Sequence, residues 1–398
     1  MNSKNNRRDR KPIIMIFTGY YVPGYKAGGI LRNVINTIDN LFEEFDFLVV
    51  SRDRDLGDDK PYKDVVSNKW SKVGNASVFY LSPEAGSLNN VYKLIKDTHH
   101  DILFLTSYFE SLTIKVLFNR WIHGGEFRPV VVAPFGEFAW ASLGQKFIKK
   151  FIFIKASRLL GLYKSVTWRV SSQYEANDLI NVIGVAPGSI HVTGDLPIKN
   201  SSGVTSCPDL KVSWDSKGLN VLFLSRISRE KNLDYALRVL CQVKSKVNFD
   251  IYGPTENASY WKECQGLIAK LPSNIIVRYL GSVSPHQVLS IIEQYDLLFL
   301  PTGGEAYGNV IAESLSVGTP VLISTHTPWR NLRDDDLGWD IDLKDERAFI
   351  DVINEYASFN YDHQVKQRTK VRENAARRLL DPQILETNRQ LFLKLLEN

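Results

Sequence analysis

The chain has 398 residues, 44% hydrophobic and 23% charged, which is the composition of a globular protein of roughly two to three domains and excludes a disordered or fibrous chain. Three scattered cysteines, Cys207, Cys241 and Cys264, exclude a disulfide scaffold, and neither they nor the seven histidines have metal-ligand spacing. Residues 1–200 carry 26 Lys+Arg against 19 Asp+Glu and residues 201–398 carry 23 against 25, so the halves stand at +7 and −2 and the first expects an anionic partner: nucleic acid, a membrane surface or a phosphorylated acceptor.

The first residues place cations before an apolar run of only Ile13 to Phe17, with no small-residue cleavage pattern, and read as a polar tail entering a strand. With no uncharged stretch of about 18 apolar residues anywhere, a spanning helix is not expected. The expected location is cytoplasmic, with any membrane contact peripheral, at the inner face.

Short β-branched runs then alternate with helical-period segments: 13–17, 45–50, 77–81, 101–105, 129–133 and 165–170. This is the pattern of a parallel sheet covered by helices. Gly28 and Gly29 lie in the first strand-to-helix turn. Asp53-Arg54-Asp55 has the D-x-D form of some metal sites, but acids near turns are frequent and no metal site is expected. Pro134-Phe135-Gly136-Glu137 follows the fifth strand and puts an acid at its carboxyl end.

From Phe138 to Tyr174 there are seven cations, Lys146, Lys149, Lys150, Lys155, Arg158, Lys164 and Arg169, and no acid. Residues 146–163 interleave them with Phe147, Ile148, Phe151, Phe153, Ile154, Leu159 and Leu160, as an interfacial helix does. Lys146, Lys149 and Lys150 are thus the expected membrane or acceptor face, the alternative being a basic solvated face on a helix whose apolar side packs against the sheet. RNA is not expected, because no recognition module accompanies the charge.

Between Asp195 and Gly218 the pattern stops in a Pro/Ser/Asn-rich linker, and it restarts with runs at 219–225, 249–253, 274–280, 295–301 and 319–324. The expected domains are 1–196, completed by a C-terminal helix at about 383–398, and 197–382. Doubly wound sheets bind ligands at their strands' carboxyl ends, so a cleft between facing domains is the expected site.

Arg226 and Lys231 follow the strand at 219–225. Residues 301–324, PTGGEAYGNVIAESLSVGTPVLIS, join a strand to a helix through Gly303, Gly304 and Gly308, with Glu305 before the helix and Glu313 inside it. The glycines let backbone approach a ligand, and the helix-start amides suit a phosphate. One carboxylate is then free to face a sugar and the other a ribose.

This segment resembles the retaining glycosyltransferases of family 4, with the GT-B fold and the E-x7-E motif, in their surface-polysaccharide branch. Residues 19–34, 224–237, 251–261 and 325–332 resemble other segments of that family in order. The resemblance implies a metal-independent transfer, without a cofactor, from a nucleotide diphosphate sugar to a lipid-linked or oligosaccharide acceptor. It places Arg226 and Lys231 opposite the diphosphate, Glu305 at the reacting sugar and Glu313 at the ribose. Gly28, Gly29, Gly253, Tyr307, Gly308, Asn309 and Val310 complete the donor-binding candidates. Two departures stand out: relatives read arginine where Phe135 stands, and a histidine-like position near a strand end is Arg169. By the same segment of the relatives, Glu137 is the first-domain candidate for contacting acceptor or donor sugar, the other reading being a structural acid at a helix start. A nucleotide-sugar 2-epimerase and a nucleotide-sugar-binding protein without catalysis remain the alternatives.

Overall fold

The computed structural model describes residues 10–124, 127–144, 147–199, 218–284, 287–379 and 381–397. Most of the expected linker, with Cys207, and also Lys146 lie outside the described residues. The chain divides into two compact units. The first comprises Met1–Ala139, Leu143–Lys199 and Pro382–Asn398, and the second Trp140–Ser142 and Asn200–Asp381.

In chain order the first part forms β1 (Ile13–Phe17), α1 (Gly29–Leu41), β2 (Asp46–Arg52), β3 (Trp70–Val73), β4 (Ala76–Leu81), α2 (Leu88–Asp97), β5 (Ile102–Thr106), α3 (Ser111–His123), β6 (Val130–Ala133), α4 (Trp140–Gly144), α5 (Phe147–Leu159), β7 (Thr167–Val170), α6 (Gln173–Ile183) and β8 (Ile190–Val192). The strands make one sheet in the order β3-β4-β2-β1-β5-β6-β7-β8, parallel except for the β3–β4 pair. Helices on both faces of a parallel sheet leave its strands dry, which is why β5, apolar up to Thr106, and β6, apolar throughout, have every residue buried.

The apolar spacing of α1 turns Leu31, Val34, Ile38 and Leu41 to the core. Three strands were not foreseen: β3, β8 and, in the second unit, β14. At three or four residues each they are too short to show a period.

The second part forms β9 (Leu219–Leu224), α7 (Leu233–Leu240), β10 (Val247–Tyr252), α8 (Ala258–Ile268), β11 (Ile275–Gly281), α9 (Val288–Ile292), β12 (Leu297–Leu300), α10 (Asn309–Ser316), β13 (Val321–Ser324), β14 (Gly338–Ile341), α11 (Glu346–Ala357) and α12 (Tyr361–Leu379). Its sheet is parallel throughout, in the order β11-β10-β9-β12-β13-β14. The loops leaving β9, β10, β12 and β13 therefore emerge at one end of the sheet.

The last helix, α13 (Pro382–Glu397), returns to the first unit. Phe392 sets its ring 5.7 Å from Phe45 and 5.8 Å from Phe104, and Asn388 Nδ2 donates to the Thr193 carbonyl at 2.9 Å.

Candidate functional site

In the second unit the site is built on the loop from β12 to α10. Gly308 precedes α10 with φ 81°, and a Cβ there would meet Ile311 Cδ1 at 2.7 Å, so backbone conformation and space both select glycine. Two neighbouring loops hold this segment. From the β9 side, the Gly303 amide donates to the Glu230 carbonyl at 2.6 Å and Asn232 Nδ2 to the Pro301 carbonyl at 3.0 Å. From the β13 side, the Glu305 amide donates to the His326 carbonyl at 3.1 Å, and Trp329 Nε1 donates to the Tyr307 carbonyl at 2.5 Å.

Lys231 stands on a 3-10 turn, Arg229–Lys231, between β9 and α7, and is buried. Its Nζ lies 2.7 Å from Glu305 Oε1, 3.4 Å from the Gly304 carbonyl and 3.8 Å from Glu230 Oε1. Two candidates 74 residues apart in sequence thus form one ion pair. Arg226 pairs with Glu256 Oε1 at 2.5 Å and lies 3.8 Å from Glu230 Oε2. Although burial opposes its charge, Glu256, Glu230 and Glu305 hold its pKa above the ordinary value. Sequence reading passed over Glu230 and Glu256, whose only signal was acidity beside a basic loop.

Glu313 is buried on α10, and Tyr307 sets its ring 5.5 Å from that of Trp329. Asn309 and Val310 are the first residues of α10, so their amides belong to its unsatisfied first turn. Gly253, with φ 141°, has a different duty: a Cβ there would sit 1.8 Å from the Ser225 carbonyl oxygen. It lets the loop after β10 pass against the loop that carries Arg226.

Gly28 and Gly29 lie in the first unit. Gly28 caps α1 with φ 72°, and no acid follows in the first turn. Asp53 accepts from Ser67 Oγ and Arg54 Nε, and Asp55 from the Tyr25, Lys26 and Leu56 amides, so both carboxylates brace loops. Among the described residues no group of three or more His, Cys, Asp or Glu is placed to hold a metal ion.

Glu137 follows β6 and is half-buried. Ser107 Oγ donates to its Oε1 and the Tyr108 amide to its Oε2, each at 2.5 Å. Burial pushes its carboxyl up to about 7, against the lowering pull of those two donors and of Lys150. Ser107 and Tyr108 follow β5, whose pairing with β6 brings them to Glu137, and nothing local in the sequence marks them.

Arg169, at the histidine-like position, is spent on structure. It is buried, pairs with Asp195 Oδ1 at 2.5 Å, and donates from Nε to Thr193 Oγ1 at 2.9 Å. Lys149 and Lys150 lie on α5, with Lys149 exposed. Lys150 instead turns inward, its Nζ 5.2 Å from the centre of the Phe109 ring. Most of the helix's apolar side chains remain in solvent: α5 buries Ile154 and Ser157 but leaves Phe147, Ile148, Phe151, Ile152 and Leu159 exposed, Ile148 at 72%. No helix among the described residues is long and apolar enough to cross a membrane.

Comparison with known proteins gives these arrangements a context. An uncharacterized 41.2 kDa protein in the cps region of Klebsiella pneumoniae is 22% identical over 275 residues, 67% of this chain and 72% of that protein. A phosphatidyl-myo-inositol mannosyltransferase of Mycobacterium leprae is 27% identical over 161 residues, 39% of this chain and 41% of the relative. Among solved structures, Anabaena HepE in complex with UDP-glucose matches with a TM-score of 0.69 at 15% identity, over 97% of this chain and all (100%) of that one. WaaG, a glycosyltransferase involved in lipopolysaccharide biosynthesis, matches at 0.63 and 13% identity over 95% and 98%. These likenesses establish the fold as that of the GT-B glycosyltransferases, two parallel-sheet units. Residues 211–378, within the second unit, match the family described as glycosyl transferases group 1.

Proposed function

We propose that the chain moves a sugar from a nucleoside diphosphate sugar to a saccharide or lipid-linked acceptor, with retention at the anomeric carbon as in family 4, in surface polysaccharide assembly. The observation that carries the reading is the ion pair of buried Lys231 with half-buried Glu305 beside the glycine-led start of α10. As the donor's carbon–oxygen bond breaks, negative charge grows on the β-phosphate and positive charge on the sugar ring. Lys231, Arg226 and the α10 amides are preorganised for the first, and Glu305 for the second. Two fixed cations supply the leaving-group charge, so the reaction proceeds without a metal or other cofactor. Glu313 holds the ribose from within α10. The surface-polysaccharide setting is supported by the relative in the Klebsiella cps region and by the likeness to WaaG.

A lipid-linked acceptor is supported by α5, whose exposed Phe147, Ile148, Phe151 and Ile152 stand among exposed Lys149, Lys155 and Arg158. That combination suits peripheral contact with an anionic leaflet at the inner face of the membrane.

The test is a panel of nucleotide sugars, read by protection against thermal unfolding and by transfer to saccharide and lipid-linked acceptors. At least one should raise the melting temperature and be consumed only with an acceptor, whereas an epimerase needs none. If none protects the protein, the reading fails.

A further inference from the structure

The loops that follow β9 and β10 are laced to each other beyond the ends of their strands. The Ser225 amide donates to the Tyr252 carbonyl at 3.0 Å and the Ile227 amide to the Pro254 carbonyl at 2.9 Å, and Ile227 forms an isolated parallel bridge with Thr255. The close pass that Gly253 permits belongs to the same seam. Because the pairing runs on to Ile227 and Thr255, their neighbours Arg226 and Glu256 emerge side by side, and Glu256 Oε1 takes the Arg226 guanidinium at 2.5 Å.

That ion pair is not what holds the two loops together, since the backbone seam already does so and a partly exposed pair adds little. Its charge also opposes the duty proposed for the site. Arg226 and Lys231 are two cations, and with Glu256 beside them they face three carboxylates, Glu230, Glu256 and Glu305. A diphosphate brought to this cluster meets a net negative charge; with one carboxylate turned away it meets a balanced one. The three acids are not equally free to turn. Glu305 is tied to Lys231 at 2.7 Å with its side chain 14% exposed, and Glu230, at 10%, lies 3.8 Å from both cations. Glu256 is 29% exposed, stands in the loop just before Asn257, the cap of α8, and among the described residues pairs with Arg226 alone. Turning about its own side-chain bonds takes it into solvent and leaves the backbone seam intact.

We propose that Glu256 competes with the donor's diphosphate for Arg226. The guanidinium, kept in place by the seam, exchanges the carboxylate for phosphate oxygens as the donor binds, and the carboxylate returns as the nucleoside diphosphate leaves. The inference rests on the donor-site reading above and lies wholly within the second unit. Its use is in release. The nucleoside diphosphate has one more ionisable oxygen than the nucleotide sugar, so fixed cations hold the product more tightly than the donor, and a tethered competitor weakens that hold.

The experiment is calorimetric titration of the full chain with inorganic pyrophosphate, uridine diphosphate and guanosine diphosphate. A probe that binds the wild type should bind Glu256→Gln about three- to tenfold more tightly, and the difference should shrink as salt is raised, because the competitor acts through its charge. The gain should pass through Arg226, so that Glu256→Gln made in an Arg226→Ala protein tightens binding less than about twofold. In transfer assays Glu256→Gln should lower the donor KM and make product inhibition stronger by a similar factor. A Glu256→Gln protein that binds pyrophosphate and the nucleotides no more tightly than the wild type overturns the proposal. Weaker binding does so too, because it makes Glu256 a support that aims the guanidinium, and so does a gain that persists in full without Arg226. If the wild type binds none of the probes, or Arg226→Ala binds them as well as the wild type does, it is the donor-site reading that fails, and the inference with it.

Discussion

The Lys231–Glu305 pair invites a double-mutant cycle that separates what it does for folding from what it does for catalysis. At 2.7 Å the gross attraction is about 6 kcal/mol for an effective dielectric of about 20, most of it offset by the desolvation of both groups. Removing one partner therefore matters mainly through the charge left behind. Glu305→Gln leaves Lys231 buried, with only the Glu230 carboxylate at 3.8 Å and the Gly304 carbonyl at 3.4 Å, and should cost about 2–3 kcal/mol of stability. Lys231→Met leaves a carboxylate nearer to solvent and should cost less, about 1–2 kcal/mol. The double variant leaves neither charge and should sit within about 1 kcal/mol of the wild type. Catalysis should behave otherwise: a charge-assisted contact made in the transition state contributes about 3 kcal/mol, so Lys231→Met should lose at least a hundredfold in kcat, and the double variant should recover none of it. Urea unfolding followed by tryptophan fluorescence gives the stabilities, and initial transfer rates give the kinetics. Simple additivity of the two stability losses, or a double variant with restored turnover, would refute the reasoning.

The remaining predictions are more direct. Glu313→Gln should raise the donor KM about tenfold with kcat little changed, since a ribose contact is made equally in ground and transition states; an equal fall in kcat argues against that role. Transfer should persist in excess chelator, and a complete loss reversed by added metal would reassign the chemistry. The protein should sediment with anionic vesicles at low salt, and Lys149→Glu with Lys155→Glu, or Ile148→Asp alone, should weaken binding; no sedimentation even at low ionic strength removes the membrane face. Stability should fall as pH rises from about 4.5 to about 7, because the folded state binds the Glu137 proton more tightly than the unfolded chain does. The full effect of that shift is about 3 kcal/mol, and a Glu137→Gln protein with the same slope in urea titrations would show that another group is responsible.

How much of this was legible depended on the range over which each feature is written. The central strands were read closely because a parallel sheet makes them continuously apolar, whereas β3, β8 and β14 carry only WSKV, IHV and GWDI, and edge pairing rather than pattern makes them strands. The glycines of residues 301–308 marked a loop to be approached, but the duty of Gly253 appears only when the Ser225 carbonyl is seen 1.8 Å from where its Cβ would be. Arg169 sat at a suggestive position in the string, yet Asp195 and Thr193 had already claimed it. The same limit explains α5, where the string gave an amphipathic mixture but not which side chains the fold would leave in solvent.

Glu137 is the sharpest case. Pro-Phe-Gly-Glu identified the residue, and Ser107 and Tyr108 lie about thirty residues away with no motif of their own. Their donors and the dryness around the carboxyl act in opposite directions on one proton. The first is a matter of which strands pair, β5 with β6, and the second of how much water the packed aromatic rings of Tyr108, Phe109 and Phe138 exclude. A sequence lists the participants in such a balance, but only the assembled sheet sets the distances and the dielectric that decide where it comes to rest. A group whose ionisation is decided by tertiary structure is for that reason a better guide to function than one whose charge is given by its residue type.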